Sequence, residues 1–309
     1  MAAVELEHVS KLFGAHRAVD RVDLVVPEGS IYGFIGPNGS GKTTSLRMIL
    51  RIIEQDEGQI RVFGQPTQQT ANDHIAYLPE ERGVYRKLKV GQQLIYFGKL
   101  KGMKTADAKR AAREWLERLG LEEWWGEKTE KLSKGMTQKV QFIASVLARP
   151  QLLILDEPFS GLDPVNLEVI RRAVLDLRRA GTTVIFSTHD MHTAEAMCDR
   201  IFMIYRGQKV LDGSLAEIRA RYGSDTVRLR MGEGVRVDPA RLPGVTHTRE
   251  LGQDWELRFE GDPQGILRAV VELGPVERFE IASPSLHDIF VRIANPTSED
   301  LAALEEAQS

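Results

Sequence analysis

Eight consecutive residues, Gly36-Pro37-Asn38-Gly39-Ser40-Gly41-Lys42-Thr43, fit the pattern G-x-x-x-x-G-K-[ST] at every constrained position. Each residue type answers a need of an anion site. Glycines let backbone N–H groups converge on phosphate oxygens with no side chains in the way. A helix beginning near Lys42 aims the positive end of its dipole at the same anion. Lys42 then suits the β- and γ-phosphates of a nucleotide, and the Thr43 hydroxyl suits Mg²⁺, with Thr44 beside it in the same turn. The plain alternative is a chance glycine turn. Against it stand the apolar strand Ile31–Ile35 leading in and the helical pattern Thr43–Ile53 leading out. The stretch predicts nucleotide binding.

Two further groups follow predicted strands in the same way. Leu152-Leu153-Ile154-Leu155 runs straight into Asp156-Glu157-Pro158. Ligands of open α/β sheets sit at the carboxyl ends of strands. Asp156 is therefore placed to hold Mg²⁺, directly or through water, and Glu157 to polarise an attacking water as general base. An isolated Asp-Glu pair would more simply open a surface loop; the phosphate cradle upstream favours the catalytic reading. His189 ends the run Thr182–Thr188, where it shares an edge of the sheet with Lys42 and Glu157. It could contact the γ-phosphate or orient the water, against the plain reading of a structural histidine.

These groups need a scaffold. Strands are predicted at Val4–Phe13, Val19–Val26, Ile31–Ile35, Gly58–Val62, Leu152–Leu155, Thr182–Phe186 and Arg200–Tyr205. Helices are predicted over Val90–Gly120 and Gly135–Ala148, and another around Arg171–Arg179 with Pro164 near its first turn and Gly181 past its end. Strands alternating with helices mean an α/β domain, here residues 1–220. Beyond it, strands at Asp225–Met231, Val245–Glu250, Trp255–Glu260 and Val276–Ala282 come in runs, with helices at Pro263–Leu273 and Ser285–Ile293. That grouping predicts a small α+β domain over 221–309, with Ser298–Ser309 as a polar, acidic tail.

Composition narrows the class. The 309 residues are 42% hydrophobic and 28% charged, the balance of an ordinary globular protein. A net charge of −3 carries no basic footprint for nucleic acid. One cysteine, Cys198, excludes an intrachain disulfide framework. No apolar run approaches the ~18 residues of a membrane span, and the N-terminus lacks the marks of a signal peptide. The expectation is a cytoplasmic chain that does not itself cross a membrane.

Three further stretches sharpen the reading. Leu132-Ser133-Lys134-Gly135-Met136 precedes the acidic strand, Ser160-Gly161-Leu162-Asp163 follows it, and Ser187-Thr188-His189-Asp190 comes later. In order and spacing they resemble the ABC (ATP-binding cassette) ATPase family over roughly residues 3–220. The resemblance implies a P-loop NTPase cassette, with a mixed sheet core and a helical subdomain. It implies ATP with Mg²⁺, and a second cassette paired head to tail, with a homodimer expected. Ser133, Lys134 and Gly135 would then serve the γ-phosphate of the partner's nucleotide, Asp163 would lie at the dimer seam, and Phe13 would stack on adenine. A separate membrane permease would carry the substrate, and the chain would sit on the cytoplasmic face of the cell membrane. The Leu78–Tyr85 and Leu132–Gln141 segments resemble the subgroup that serves drug, lipid or sodium exporters. The C-terminal stretch ending Ser285-Leu286-His287-Asp288-Ile289-Phe290 looks like that subgroup's extension, a dimer-stabilising or regulatory module.

Two departures stand out. Where the family keeps a glutamine after its Tyr-Leu-Pro run, this chain has Glu80, whose carboxylate still reaches Mg²⁺ or its water but adds negative charge beside a triphosphate. The usual Gly-Gly-Gln of the signature is Lys134-Gly135-Met136. Lys134 adds a cation where Glu80 adds an anion, so the two are expected to compensate. Two rival classes remain: an ABC ATPase acting on DNA or ribosomes, and a module that senses ATP without hydrolysing it. The lack of a coiled-coil insertion or zinc-ligand cysteines disfavours the first, and Lys42, Asp156 and Glu157 disfavour the second.

Overall fold

Three short runs with no exposed residue decide where the core lies: Ile31–Ile35, Leu152–Asp156 and Thr183–Thr188. Such strands need cover on both faces, which parallel sheets with flanking helices provide. The computed structural model describes residues 1–67, 74–80, 83, 85–222, 225–235, 237–282 and 284–294. The predicted tail Ser298–Ser309, and Glu81, Arg82 and Val84 of the loop after Glu80, lie outside the described residues.

The first unit spans Met1–Gly213. It opens with β1 (Ala2–Phe13), β2 (His16–Pro27) and β3 (Ile31–Ile35), then α1 (Lys42–Ile49), β4 (Glu57–Val62), β5 (Gln65–Pro66) and β6 (Ile75–Leu78). Next come α2 (Val90–Leu100), α3 (Thr105–Arg118), α4 (Lys134–Val146) and β7 (Leu152–Asp156). The unit closes with α5 (Pro164–Arg179), β8 (Thr183–Thr188), α6 (Met191–Met197), β9 (Arg200–Tyr205) and β10 (Gln208–Ser214).

Two sheets form. A six-stranded sheet runs in the order β10-β9-β3-β8-β7-β6, with the contacts from β9 through β6 all parallel. A four-stranded sheet, β2-β1-β4-β5, is antiparallel. They share one core, in which Leu6, Val22 and Ile60 of the second sheet join Phe34, Ile154 and Ile185 of the first, with Leu46 and Ile49 of α1. Each fully buried aliphatic side chain there contributes about 1.5–3 kcal/mol.

Two differences from the sequence expectation have local causes. The Val90–Gly120 pattern is two helices, because Gly102 takes φ 78°, a left-handed conformation that ends a helix turn. The helix after the phosphate loop stops at Ile49 rather than Ile53, where Leu50 and Arg51 close it and Arg51 turns to φ 56°. Strands β5, β6 and β10 have no counterpart in the sequence expectation; β6 lies at the edge of the parallel sheet beside β7. At α5 the expected markers hold, with Pro164 opening the helix and Gly181 following its end; Asp163 in addition caps it.

The second unit begins at Ser214. It contains α7 (Leu215–Tyr222), β11 (Thr226–Met231), β12 (Val245–Leu251), β13 (Asp254–Phe259), α8 (Pro263–Leu273), β14 (Val276–Ala282) and α9 (Leu286–Ala294). Its antiparallel sheet runs β12-β13-β11-β14. Ile266 and Val270 of α8 pack on Val227, Leu229 and Leu257. Arg292 of α9 pairs with Asp225 at 2.7 Å.

Phe34 is fully buried in β3, the strand that leads into the phosphate loop, and its ring lies 5.0 Å from that of Phe202. Phe34→Ala is expected to lower the unfolding free energy by about 3–5 kcal/mol. Urea titration reads this as a lower midpoint at unchanged slope; a loss below ~1 kcal/mol would mean that this ring does not anchor the core.

Candidate active site

Four adjacent parallel strands, β3-β8-β7-β6, deliver their carboxyl ends to one edge of the sheet. Each is followed by a residue singled out from sequence: the phosphate loop after β3, His189 after β8, Asp156 and Glu157 at the end of β7, and Glu80 after β6. The order of strands does what the order of residues cannot. It brings positions 42, 80, 157 and 189 together.

A cleft of about 400 Å³ lies at this edge, lined by residues 38–44 together with Phe13, His16, Ala18, Glu80 and Glu157. A larger cleft, about 480 Å³, is lined by Trp115, Arg118 and Asp176 among others and contains none of these groups. Two glycines of the loop are sterically required. A Cβ on Gly36 would stand 2.1 Å from the Ile204 carbonyl, and one on Gly41, at φ 111°, would stand 2.5 Å from the Ala18 carbonyl. Gly41 is also the residue from which α1 starts.

Lys42 is buried, and its Nζ donates to the carbonyls of Gly36 at 2.6 Å and Pro37 at 3.1 Å. It also lies 3.7 Å from Glu157 Oε1. Burial pulls the Lys42 pKa below its usual value, while Glu157, Asp156 and Glu80 push the other way. A desolvated ammonium amid carboxylates has much to gain from a further anion.

Asp156 is 1% exposed and fully engaged. Its Oδ1 accepts from Ser187 Oγ at 2.5 Å and Thr43 Oγ1 at 3.1 Å, and its Oδ2 from Tyr77 Oη at 3.3 Å. Ser187 Oγ in turn accepts the backbone N–H of Glu157 at 2.9 Å. Burial, and then the Asp156 charge, push the Tyr77 phenol up to about 12. Ser187 and Tyr77 lie in stretches that carry the family resemblance, but neither is among the site residues expected from sequence. Tyr77 carries the one hydroxyl of the otherwise apolar β6, whereas Ser187 stands among buried Thr183 and Thr188 in β8, so only strand order singles it out.

Glu157 has φ 47°, unusual for a residue with a side chain and frequent at functional sites. Its Oε1 is buried without an aligned hydrogen-bond partner among the described residues, and His189 Nδ1 approaches it to 3.0 Å. The nearby Glu157 carboxylate, as acceptor and as charge, raises the His189 pKa above 6.5 against the opposing effect of burial.

The ABC transporter family model matches residues 19–160, the C-terminal domain of DrrA1-3-like ATP-binding proteins matches 213–294, and an AAA domain matches 127–195. The uncharacterized ABC transporter ATP-binding protein YhaQ of Bacillus subtilis is 41% identical, over 93% of this chain and 96% of the relative. The chain belongs to the ABC transporter ATP-binding protein family.

This ABC ATPase is also 32% identical to the daunorubicin/doxorubicin resistance ATP-binding protein DrrA of Streptomyces peucetius, over 99% of this chain and 96% of the relative. Among solved structures, a dimeric post-hydrolysis state of an ATP-binding cassette bound to ADP and Pi is 25% identical, with a TM-score of 0.63, over 69% of this chain and 98% of that one.

The remaining predicted residues of the ABC ATPase form two groups. Phe13 borders the cleft, 51% exposed. Ser133, Lys134, Gly135 and Asp163 do not line it. They sit at two neighbouring helix N-termini: Ser133 caps α4 by accepting the Met136 N–H, and Asp163 caps α5 by accepting from Val165 and Asn166. The Asn166 N–H, first among several hydrogen bonds, lowers the Asp163 pKa. Lys134 is exposed, with its ammonium against Gly161, where a Cβ would stand 2.4 Å away.

The raised His189 pKa carries a pH dependence. The folded pKa lies above the ordinary 6.5, so the His189–Glu157 pair stabilises fully below 6.5. That stabilisation is lost as pH rises through the folded value. The thermal midpoint of the wild type should exceed that of His189→Gln most at about pH 5.5 and least at about pH 8.5. A difference that stays constant over the range would contradict the pairing.

Proposed function

We propose that this ABC ATPase drives export through a separate membrane permease, as one of two cassettes that close around ATP. The observation that carries the reading is the separation within one chain of the phosphate loop from the Ser133–Gly135 helix tip. A second cassette, expected to be another copy of this chain, would bring its helix tip to this chain's cleft. The α4 N-terminus, with the positive end of its helix dipole, suits an incoming γ-phosphate, and Lys134 adds a cation there.

In this reading the chain's own residues divide the work. The loop amides of residues 36–41 and Lys42 bind the triphosphate, with Thr43 and Thr44 beside them. Phe13 stacks on the base. Glu157 takes the proton of the attacking water, His189 orients that water and the γ-phosphate, and Asp163 lies at the seam between copies. The oxygens of Thr43, Asp156 and Glu80 form a hard donor set that fits Mg²⁺. When bound, Mg²⁺ would neutralise charge developing on the β- and γ-phosphates. ATP touches both copies only in the closed pair, so it favours closure; hydrolysis removes the shared contacts and the pair reopens.

Docking to the permease is assigned to the helical region. Between β6, α2 and α4 lies a groove of about 360 Å³ lined by Tyr77, Leu78, Pro79, Phe97, Leu100 and Ala144, an apolar seat for a cytoplasmic helix. Leu100 of its lining and Tyr85 and Tyr96 beside it are exposed, and the Tyr85 and Tyr96 rings meet at 5.9 Å. Among the described residues, no helix is long and apolar enough to cross a membrane, so the reading assigns translocation to the partner and places this chain on the cytoplasmic face. DrrA's drug-resistance name supports export as the direction.

Glu157→Gln should bind ATP, accumulate as a closed dimer in size-exclusion chromatography, and release phosphate about 10²–10⁴-fold more slowly than wild type. Turnover at the wild-type rate would remove Glu157 as the base.

A further inference from the structure

Phe13 stands at the last position of β1, half exposed at the mouth of the cleft. One edge of β1 is paired to its end, with Phe13 opposite His16 of β2. Among the described residues, the other edge is not. The ladder with β4 stops at Ser10 opposite Glu57, leaving Lys11, Leu12 and Phe13 beyond the last pair.

Asp56, the residue just before β4, extends that edge with its side chain. Its backbone N–H donates to Ser10 O at 2.9 Å. Its carboxylate accepts the Leu12 N–H at 2.6 Å and the Lys11 ammonium at 3.0 Å. The Leu12 N–H first, and then Lys11, hold the Asp56 carboxyl below its usual pKa. The same Lys11 Nζ lies 5.6 Å from the centroid of the Phe13 ring, over one face. The half-exposed ring also lines the cleft, where a planar base could stack on it.

We infer that Asp56 is a positioning residue for the nucleotide base. Its carboxylate replaces the strand partner that β1 lacks, and through Leu12 and Lys11 it fixes the backbone and ring of Phe13. Asp56 also ends the short segment that follows α1, so the base platform is tied to the same helix that starts at the phosphate loop. The inference rests on the reading of Phe13 as the platform for the base.

The test compares two ligands of the full-length chain by calorimetry: ATP, which has a base, and inorganic tripolyphosphate, which has none. Phe13→Ala should weaken ATP about tenfold, the scale of base–aromatic stacking, and leave tripolyphosphate unchanged. Asp56→Ala should weaken ATP about fivefold, again sparing tripolyphosphate. Asp56→Asn keeps an oxygen for the Leu12 N–H, so its loss should be smaller; it serves if the alanine variant folds poorly. In the Phe13→Ala background, Asp56→Ala should cost nothing more, since both act through one ring. Equal weakening of both ligands, additive losses, or full ATP affinity in Asp56→Ala beside a weakened Phe13→Ala would each overturn the clamp alone. Unchanged ATP affinity in Phe13→Ala would overturn the base-platform reading and the clamp with it.

Discussion

A nearly sealed carboxylate stands at the centre of this molecule. Asp156 is removed from water at the end of a strand, where an ionised group survives only if its oxygens are satisfied. Three hydroxyls from three different segments do that: Thr43 from α1, Tyr77 from β6 and Ser187 from β8. The bonds cost each segment its freedom to shift independently. The phosphate-loop helix, the edge strand and the central strand are therefore registered against a single side chain. Ser187 extends the registration to the backbone of Glu157, whose left-handed conformation needs such support to persist.

Around this anchor the charges are arranged in opposition. Lys42 is buried against its own loop carbonyls and within ion-pair distance of Glu157, which in turn attracts His189. Burial works against the Lys42 charge while its acidic neighbours support it. Preorganised, poorly hydrated groups of this kind interact with a polyphosphate far more strongly than their solvated counterparts would. The antiparallel sheet contributes through placement, holding Phe13 at the mouth of the same cleft while its inner face closes the core.

How much was legible without coordinates depends on how local each feature is. The phosphate loop and the Asp156-Glu157 pair are contiguous, so residue type and neighbours were enough to single them out. The strands Ile31–Ile35 and Arg200–Tyr205, and the helix Pro263–Leu273, carry unbroken or strongly periodic apolar patterns and were read with their observed bounds. Tyr77, Ser187 and Asp56 act across large sequence separations, through contacts that only strand order creates. Gly102, with its left-handed turn, was a stop signal inside a pattern that otherwise reads as helix on both sides. The four-residue strand Ile75–Leu78 is too short for alternation to distinguish it from a loop.

Tyr77 occupies two places at once. Its ring forms part of the wall of the apolar groove, and its hydroxyl ends on Asp156. Whatever presses into that groove therefore stands one side chain away from the carboxylate, with no intervening layer to absorb the movement. A slide of the groove wall by a fraction of an ångström would lengthen or shorten the bond from Tyr77 to Asp156. The distance over which force would have to be relayed is the length of a single phenol.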